Sequence, residues 1–219
     1  MASDFYLPYL LNYSQPVVED IAIFCVAMLT AIIVSAEGQG FIATLLGDSQ
    51  PGAKDRFHFN VFLHMSLLGT LNFFIAGFGW AKELQINPGN FKNHPRLFLV
   101  ISRISGPLAN LLMANIAASL NWILARWGFD DKVFSTIVIV NVTMAVYGLI
   151  IIAPLPGSAM LFALFPDSRT FLKLKKTLTI LGPYVIVGTF LLIRLSGWEG
   201  VSALLNPVVS GLASFILVS

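Results

Sequence analysis

The chain reads as an all-α polytopic membrane protein, a helical bundle of five to six transmembrane segments with one re-entrant element and an interfacial helix. Three observations predict this. Aliphatic, aromatic and Cys residues make up 57% of the chain and charged residues only 11%, against roughly 25% charged in a soluble domain. Mean hydropathy is +0.82. Apolar runs recur at about the 20-residue length that crosses a bilayer, with the basic residues gathered between them. A chain of 219 residues suits one integral membrane domain, 1–219.

The elements follow in order. The first sixteen residues contain Asp4 and no Lys or Arg, so the positive region of a signal peptide is missing. Tyr6, Pro8, Tyr13 and Pro16 suggest an interfacial lead-in over 1–16. The first span covers about 17–46 and contains Glu37; a carboxyl on a span is costly and faces the bundle interior. Segment 61–79 holds His64, Ser66 and Asn72 together with Gly69, Thr70, Gly77 and Gly79. Irregular backbone survives at membrane depth only when buried in protein or lining a water-filled cavity, so 61–79 is expected to enter and return within a cytoplasmic module, 47–96. Spans follow at about 97–125, 133–155, 177–195 and 201–218. Pro154 and Pro156 are expected to distort the end of 133–155. Segment 158–176 sets Phe162, Phe165, Phe171 and Leu174 beside Arg169, Lys173, Lys175 and Lys176, the pattern of an interfacial amphipathic helix.

The basic residues argue for the re-entrant element. If all six segments crossed, Lys54, Arg56, Arg126, Lys132 and Arg194 would face Lys82, Lys92, Arg96, Arg169, Lys173, Lys175 and Lys176, five against seven. If 61–79 returns, the first two join those seven, and only Arg126, Lys132 and Arg194 remain opposite. Nine against three is a clear positive-inside pattern. It leaves Asp4, Glu19 and Asp20 outside and the C-terminus inside, in a bacterial inner membrane.

A formal charge of +2, without basic runs or a Gly-rich phosphate loop, gives no sign of nucleic-acid partners. Cys25 stands alone, so no intrachain disulfide forms, and it reads as a packing residue. His58 and His64 flank Asn60 with no Cys and few carboxylates nearby, so they read as structural histidines rather than a metal site. No His lies in a clear span, as bis-His haem ligation requires. No cofactor is expected.

The densest chemical signal is Ala36-Glu37-Gly38-Gln39-Gly40, followed by Gly47-Asp48, then Arg56-Phe57-His58-Phe59-Asn60 through His64, then Gly69-Thr70 and Gly79-Trp80-Ala81-Lys82. Asn87-Pro88, Ser105-Gly106-Pro107-Leu108-Ala109-Asn110 and Ala153-Pro154-Leu155-Pro156-Gly157 complete the series. In order and spacing, from about residue 30 to 160, these blocks resemble the site-2 proteases, intramembrane zinc peptidases that carry H-E-x-x-H, G-D, a G-R-L-T-L-N-P-L-x-H loop, G-W-A-K, A-G-P-x-x-N and P-P-L-D-G. In H-E-x-x-H two His four apart hold zinc and the Glu is general base. The resemblance sets Ala36 and Gly40 at the His positions and Pro156 at the Asp ligand. None has a side-chain donor for zinc. Glu37 remains, and Asn110 matches the Asn after G-P.

The resemblance therefore implies the protease fold without its zinc ligands: a degenerate member and not an enzyme. Ala36, Glu37, Gly40, Asn110 and Pro156 are remnant positions. Asn110 is expected to hydrogen-bond between helices. Glu37 has Arg103 as a candidate partner in a buried ion pair, the alternative being an Arg103 that snorkels to the interface. Phe73, Phe74 and Phe78 are candidates for contact with lipid or partner helices. The expected function is an accessory subunit of a hetero-oligomeric membrane complex, contacting integral membrane partners and lipids. The alternatives are a regulator that transiently binds transmembrane substrates, or an active intramembrane peptidase with a divergent site.

Overall fold

A computed structural model of the chain describes residues 11–49, 56–129, 132–166, 168–198 and 200–218. Lys54 and most of the lead-in, with Asp4, Tyr6 and Pro8, lie outside the described residues. Those described are helical and unstranded: α1 (Val18–Leu45), α2 (Val61–His64), α3 (Leu67–Ala76), α4 (Pro95–Arg126), α5 (Lys132–Tyr147), α6 (Pro156–Leu164), α7 (Arg169–Ser196) and α8 (Gly200–Val218), with a 3-10 turn at Pro88–Asn90. Among them α1, α4, α7 and α8 are long and apolar enough to cross a membrane; α3 and α5 are apolar but shorter. This is a membrane-embedded helical protein.

Two expected elements end elsewhere. The segment expected over 133–155 stops as a helix at Tyr147. The chain then turns through 148–155, tied by the Gly157 N–H donating to the Gly148 carbonyl, and Pro156 opens α6 at a position where a missing N–H costs nothing. The stretch 158–176 is divided between α6 and the start of α7. Ser168 makes the break by accepting a hydrogen bond from the Phe171 N–H, a standard N-cap. Helix α7 then runs on through 177–195.

The bundle centres on α1, α4 and α5. Helix α5 is buried along nearly all its length, from Thr136 to Ala145 and at Tyr147. Small residues let α1 and α4 approach closely: a Cβ added at Gly38 would stand 2.6 Å from Ala109 Cβ and 3.3 Å from the Ser105 carbonyl oxygen. Interfaces of this kind rely on close backbone packing, because lipid offers no hydrophobic drive to associate. Gly38→Leu is therefore expected to push the two helices apart at a cost of about 1–3 kcal/mol, read as a lowered unfolding temperature in detergent.

Aromatic rings fill the core. Phe78 lies 4.4 Å from Tyr147 and 4.8 Å from Phe190, centroid to centroid, and Phe24 lies 6.4 Å from Phe73 and 5.8 Å from Phe74. This corrects the expected role of Phe73, Phe74 and Phe78 as a contact surface. Phe73 is 1% and Phe78 0% exposed, and Phe74 packs half-buried against the same core. Three aromatics near a Gly-rich turn mark a packing centre here, since glycine lets the rings close over the backbone.

Residues 56–87 form a hairpin against α1. It begins beside the C-terminal end of α1, where Arg56 binds Asp48. Helix α3 then runs back toward the N-terminal half of α1, so Phe73 and Phe74 meet Phe24. There the Phe74 carbonyl accepts hydrogen bonds from the Tyr13 hydroxyl (2.6 Å) and from Arg194 (3.2 Å), and Arg194 also donates to the Ile75 carbonyl (2.7 Å). These donors cap the free carbonyls at the end of α3. The chain reverses at Gly77, in the left-handed conformation glycine favours (φ 77°). It returns without helix, joined to the outgoing limb by the Met65–Ala81 bridge and the Lys82 N–H donating to the His64 carbonyl. Gly69 and Gly79 let the limbs meet, for a Cβ on either would collide with the opposite backbone. The Asn87 N–H then reaches Asp48, so both limbs end at the same end of α1.

Candidate functional site

Glu37 is buried, about 12 Å from the C-terminal end of α1 at 1.5 Å per residue. Its Oε2 accepts a hydrogen bond from the Phe57 N–H (2.7 Å), and its Oε1 accepts from the His58 and Phe59 N–H groups (3.1 Å each). His64 Nε2 stands 3.2 Å from the same Oε1. Phe57 and Phe59 adopt left-handed backbone conformations (φ 59° and 47°). Such alternation turns successive N–H groups toward one side and makes a concavity that holds an anion. Asn60 closes the loop by accepting from the Phe62 N–H as the N-cap of α2.

Arg103 lies elsewhere. It is buried on α4, donating to Gln39 Oε1 and Glu83 Oε1 and to the Leu84 carbonyl, each at 3.1 Å. The expected Glu37–Arg103 pair is thus corrected, and so is snorkelling. Residues 37 and 39 leave α1 in directions about 200° apart at 100° per residue, so Gln39 meets α4 and Glu37 meets the loop. Gly40 packs against the stem of Arg56: a Cβ there would stand 3.2 Å from Arg56 Cγ. Ala36 is buried in the core. Asn110 is buried too, but neither end of its amide has a hydrogen-bond partner among the described residues, contrary to the interhelical bond expected of it. Pro156 and Gly148 line a cleft with Ser35, Gln39, Trp80 and Arg103.

A second polar centre, at the end of α1, was missed from sequence. Asp48 and Arg56 are both buried, with Arg56 Nη2 2.7 Å from Asp48 Oδ2. Arg56 also donates to the Asp48 and Gln85 carbonyls. Asp48 accepts from Asn90 Nδ2 (2.6 Å) and from the Asn87 N–H (3.0 Å). Burial works to raise the Asp48 carboxyl, but the hydrogen bonds from Arg56, Asn90 and Asn87 together outweigh it. They hold the carboxyl below the ordinary range. The available signal was an acid and a base eight residues apart across a polar, Pro-Gly-containing stretch, with Asn87 and Asn90 close to Pro88.

The chain is similar to a curated protein of Bacillus subtilis (strain 168), "Putative zinc metalloprotease YwhC". The two are 27% identical over 150 residues, covering 64% of this chain and 68% of that protein. Though weak, the similarity supports a site-2 protease-like family. No protein-family model and no solved structure matches the chain. The similarity corrects the expectation that the chain is not an enzyme, because the relative's description points to a protease.

That description implies zinc, and the described residues do not fit it. Among the described residues no three His, Cys, Asp or Glu side chains gather where a metal could be held. Ala36, Gly40 and Pro156 offer no donors, and Glu37 has its oxygens engaged by the loop.

Proposed function

We propose that the chain is a membrane-embedded, protease-like protein that takes up a polypeptide segment, in extended form, along residues 81–87. The observation that carries this reading is the return limb of the hairpin. It is non-helical, bridged to its neighbour at one residue, and borders the cleft between α1 and α4. Arg103 holds its Leu84 carbonyl and Arg56 its Gln85 carbonyl, so it is preorganised. Lys82, Glu83 and Gln85 are exposed on it. An extended partner laid on such an edge gains main-chain hydrogen bonds, with side-chain pockets adding selectivity. The metalloprotease description of the relative agrees with a polypeptide ligand.

A photo-reactive residue at Lys82 or Gln85, in the full chain reconstituted in vesicles, is expected to crosslink to an added transmembrane peptide. Crosslinking no stronger than from Phe215, far along α8, removes the reading. The same vesicles report on chemistry by mass spectrometry. Peptide fragments that form with the wild type and not with Glu37→Ala would give Glu37 a part in hydrolysis.

We read the hairpin as re-entrant from the cytoplasmic face of a bacterial inner membrane, with the N-terminus outside. The tie of both limbs to Asp48 and the nine-against-three division of basic residues support this. In a Cys25→Ser background, Ser49→Cys and Lys92→Cys are expected to react with an impermeant thiol reagent from the same side of sealed vesicles. Labelling from opposite sides defeats this topology.

A further inference from the structure

We propose that residues 57–63 form an aromatic lip immersed in the acyl region of the bilayer, and that Glu37 makes this tolerable by taking up the lip's backbone N–H groups. The inference rests on the re-entrant reading of the hairpin and is independent of polypeptide uptake.

Depth is the first argument. The Phe57 ring packs edge-on against Phe41, one turn beyond Glu37, at 6.4 Å between centroids, and the next N–H groups reach Glu37 itself. The loop therefore lies beside the outer third of a membrane-crossing helix rather than beyond its end. Surface chemistry is the second. Phe59 is 72% and Phe62 75% exposed, with Phe57 and Leu63 half-exposed, and the apolar face continues along α3 through Leu67 and Leu71. This face is continuous with the outward flank of α1 at Phe41 and Leu45, which are also exposed.

Backbone satisfaction is the third. A non-helical loop in hydrocarbon strands its N–H groups, and lipid supplies no acceptor. Here three consecutive N–H groups are satisfied by one carboxylate, and the Phe62 N–H by the Asn60 side chain. A water-exposed loop would need no such provision, nor four apolar side chains turned outward in seven residues. The outward face carries Phe57, Phe59, Phe62 and Leu63 together with the exposed polar side chains of His58 and Asn60. Acyl chains fit its apolar majority, while three backbone N–H groups turn inward to Glu37.

The test places nitroxides at Phe59→Cys and Phe62→Cys in a Cys25→Ser background, in vesicles of phosphatidylcholine and phosphatidylglycerol. Collision rates with oxygen, which partitions into lipid, are compared with those of a water-soluble nickel chelate. Labels at Leu112→Cys, on the exposed middle of α4, and at Lys92→Cys supply the lipid and water references. The expected ratio at 59 and 62 favours oxygen and approaches that at 112. A ratio like that at 92 overturns the lip, and shielding from both reagents overturns it in favour of a protein contact. If 49 and 92 label from opposite sides, the topology has failed; if they share a side and 59 meets nickel, the lip alone has failed. Glu37→Gln is expected to move the ratio at 59 toward that at 92, and an unchanged ratio refutes the part given to Glu37. Should that variant not assemble, Glu37→Asp, which withdraws the carboxylate by one methylene, gives the same readout.

Discussion

Arg56→Ala is expected to destabilise the protein by about 3–5 kcal/mol, the usual cost of removing one partner of a buried ion pair. Both side chains are almost wholly shielded. Among the described residues, the loss leaves the Asp48 carboxylate with Asn90 and Asn87 for partners. It also removes the Arg56 hydrogen bond to the Gln85 carbonyl, so the return limb of the hairpin loosens at the edge proposed to receive a polypeptide. Thermal unfolding in detergent measures the cost; a change under about 1 kcal/mol would mean the pair behaves as a surface contact. Asp48→Asn is expected to cost less, since the amide still offers Arg56 an oxygen.

The same pair has a defined pH dependence. The Asp48 carboxyl is held below its ordinary range. A group lowered in this way contributes stability that is fully present above the ordinary carboxylate pKa, near about 4. That stability is lost as pH falls through the lower folded-state value. Wild-type protein is therefore expected to lose unfolding temperature as pH drops below about 4, and Asp48→Asn to lose less over the same interval. Parallel losses in the two proteins would assign the acid sensitivity to other groups.

Glu37→Ala is the second large effect, expected at about 3 kcal/mol because several charge-assisted hydrogen bonds are removed together. Glu37→Gln should fall between that and wild type. It keeps one acceptor oxygen but turns an amide NH₂ toward backbone N–H groups that cannot accept. The partner assignment is tested by double-mutant cycles. Glu37 and Arg103 share no partner in the described contacts, so Glu37→Ala and Arg103→Met should add within about 0.5 kcal/mol. Glu37→Ala and His64→Leu should couple, because the two side chains touch at 3.2 Å. A strong Glu37–Arg103 coupling would restore the ion pair expected from sequence.

Much of the architecture was legible in the residues. Hydropathy located α1, α4, α7 and α8, because a bilayer demands long uninterrupted apolar helices. The Gly, Asn and His content of 61–79 marked a segment unlike a plain span, and the structure divides it into α2, α3 and a non-helical return. The helix ends were less legible. The stop of α5 at Tyr147 depends on a turn held by a bond from Gly157 to Gly148, and the α6–α7 break depends on a single cap at Ser168. Both are local bonds with little periodic signature.

By itself the sequence determined that the chain is apolar, helical and membrane-embedded, and that a carboxyl, Glu37, stands within its first span. Only the tertiary structure decided who meets whom. Rotation about the helix axis sends Gln39 to Arg103 and Glu37 to the loop. Left-handed turns at Phe57 and Phe59 aim three N–H groups at one carboxylate. The close approach of Gly69 and Gly79 draws Phe73 and Phe78 into the core and leaves Phe59 and Phe62 outside. Composition and periodicity report how favourable a residue finds lipid or protein. They do not report direction, and direction sets the partner of a buried charge.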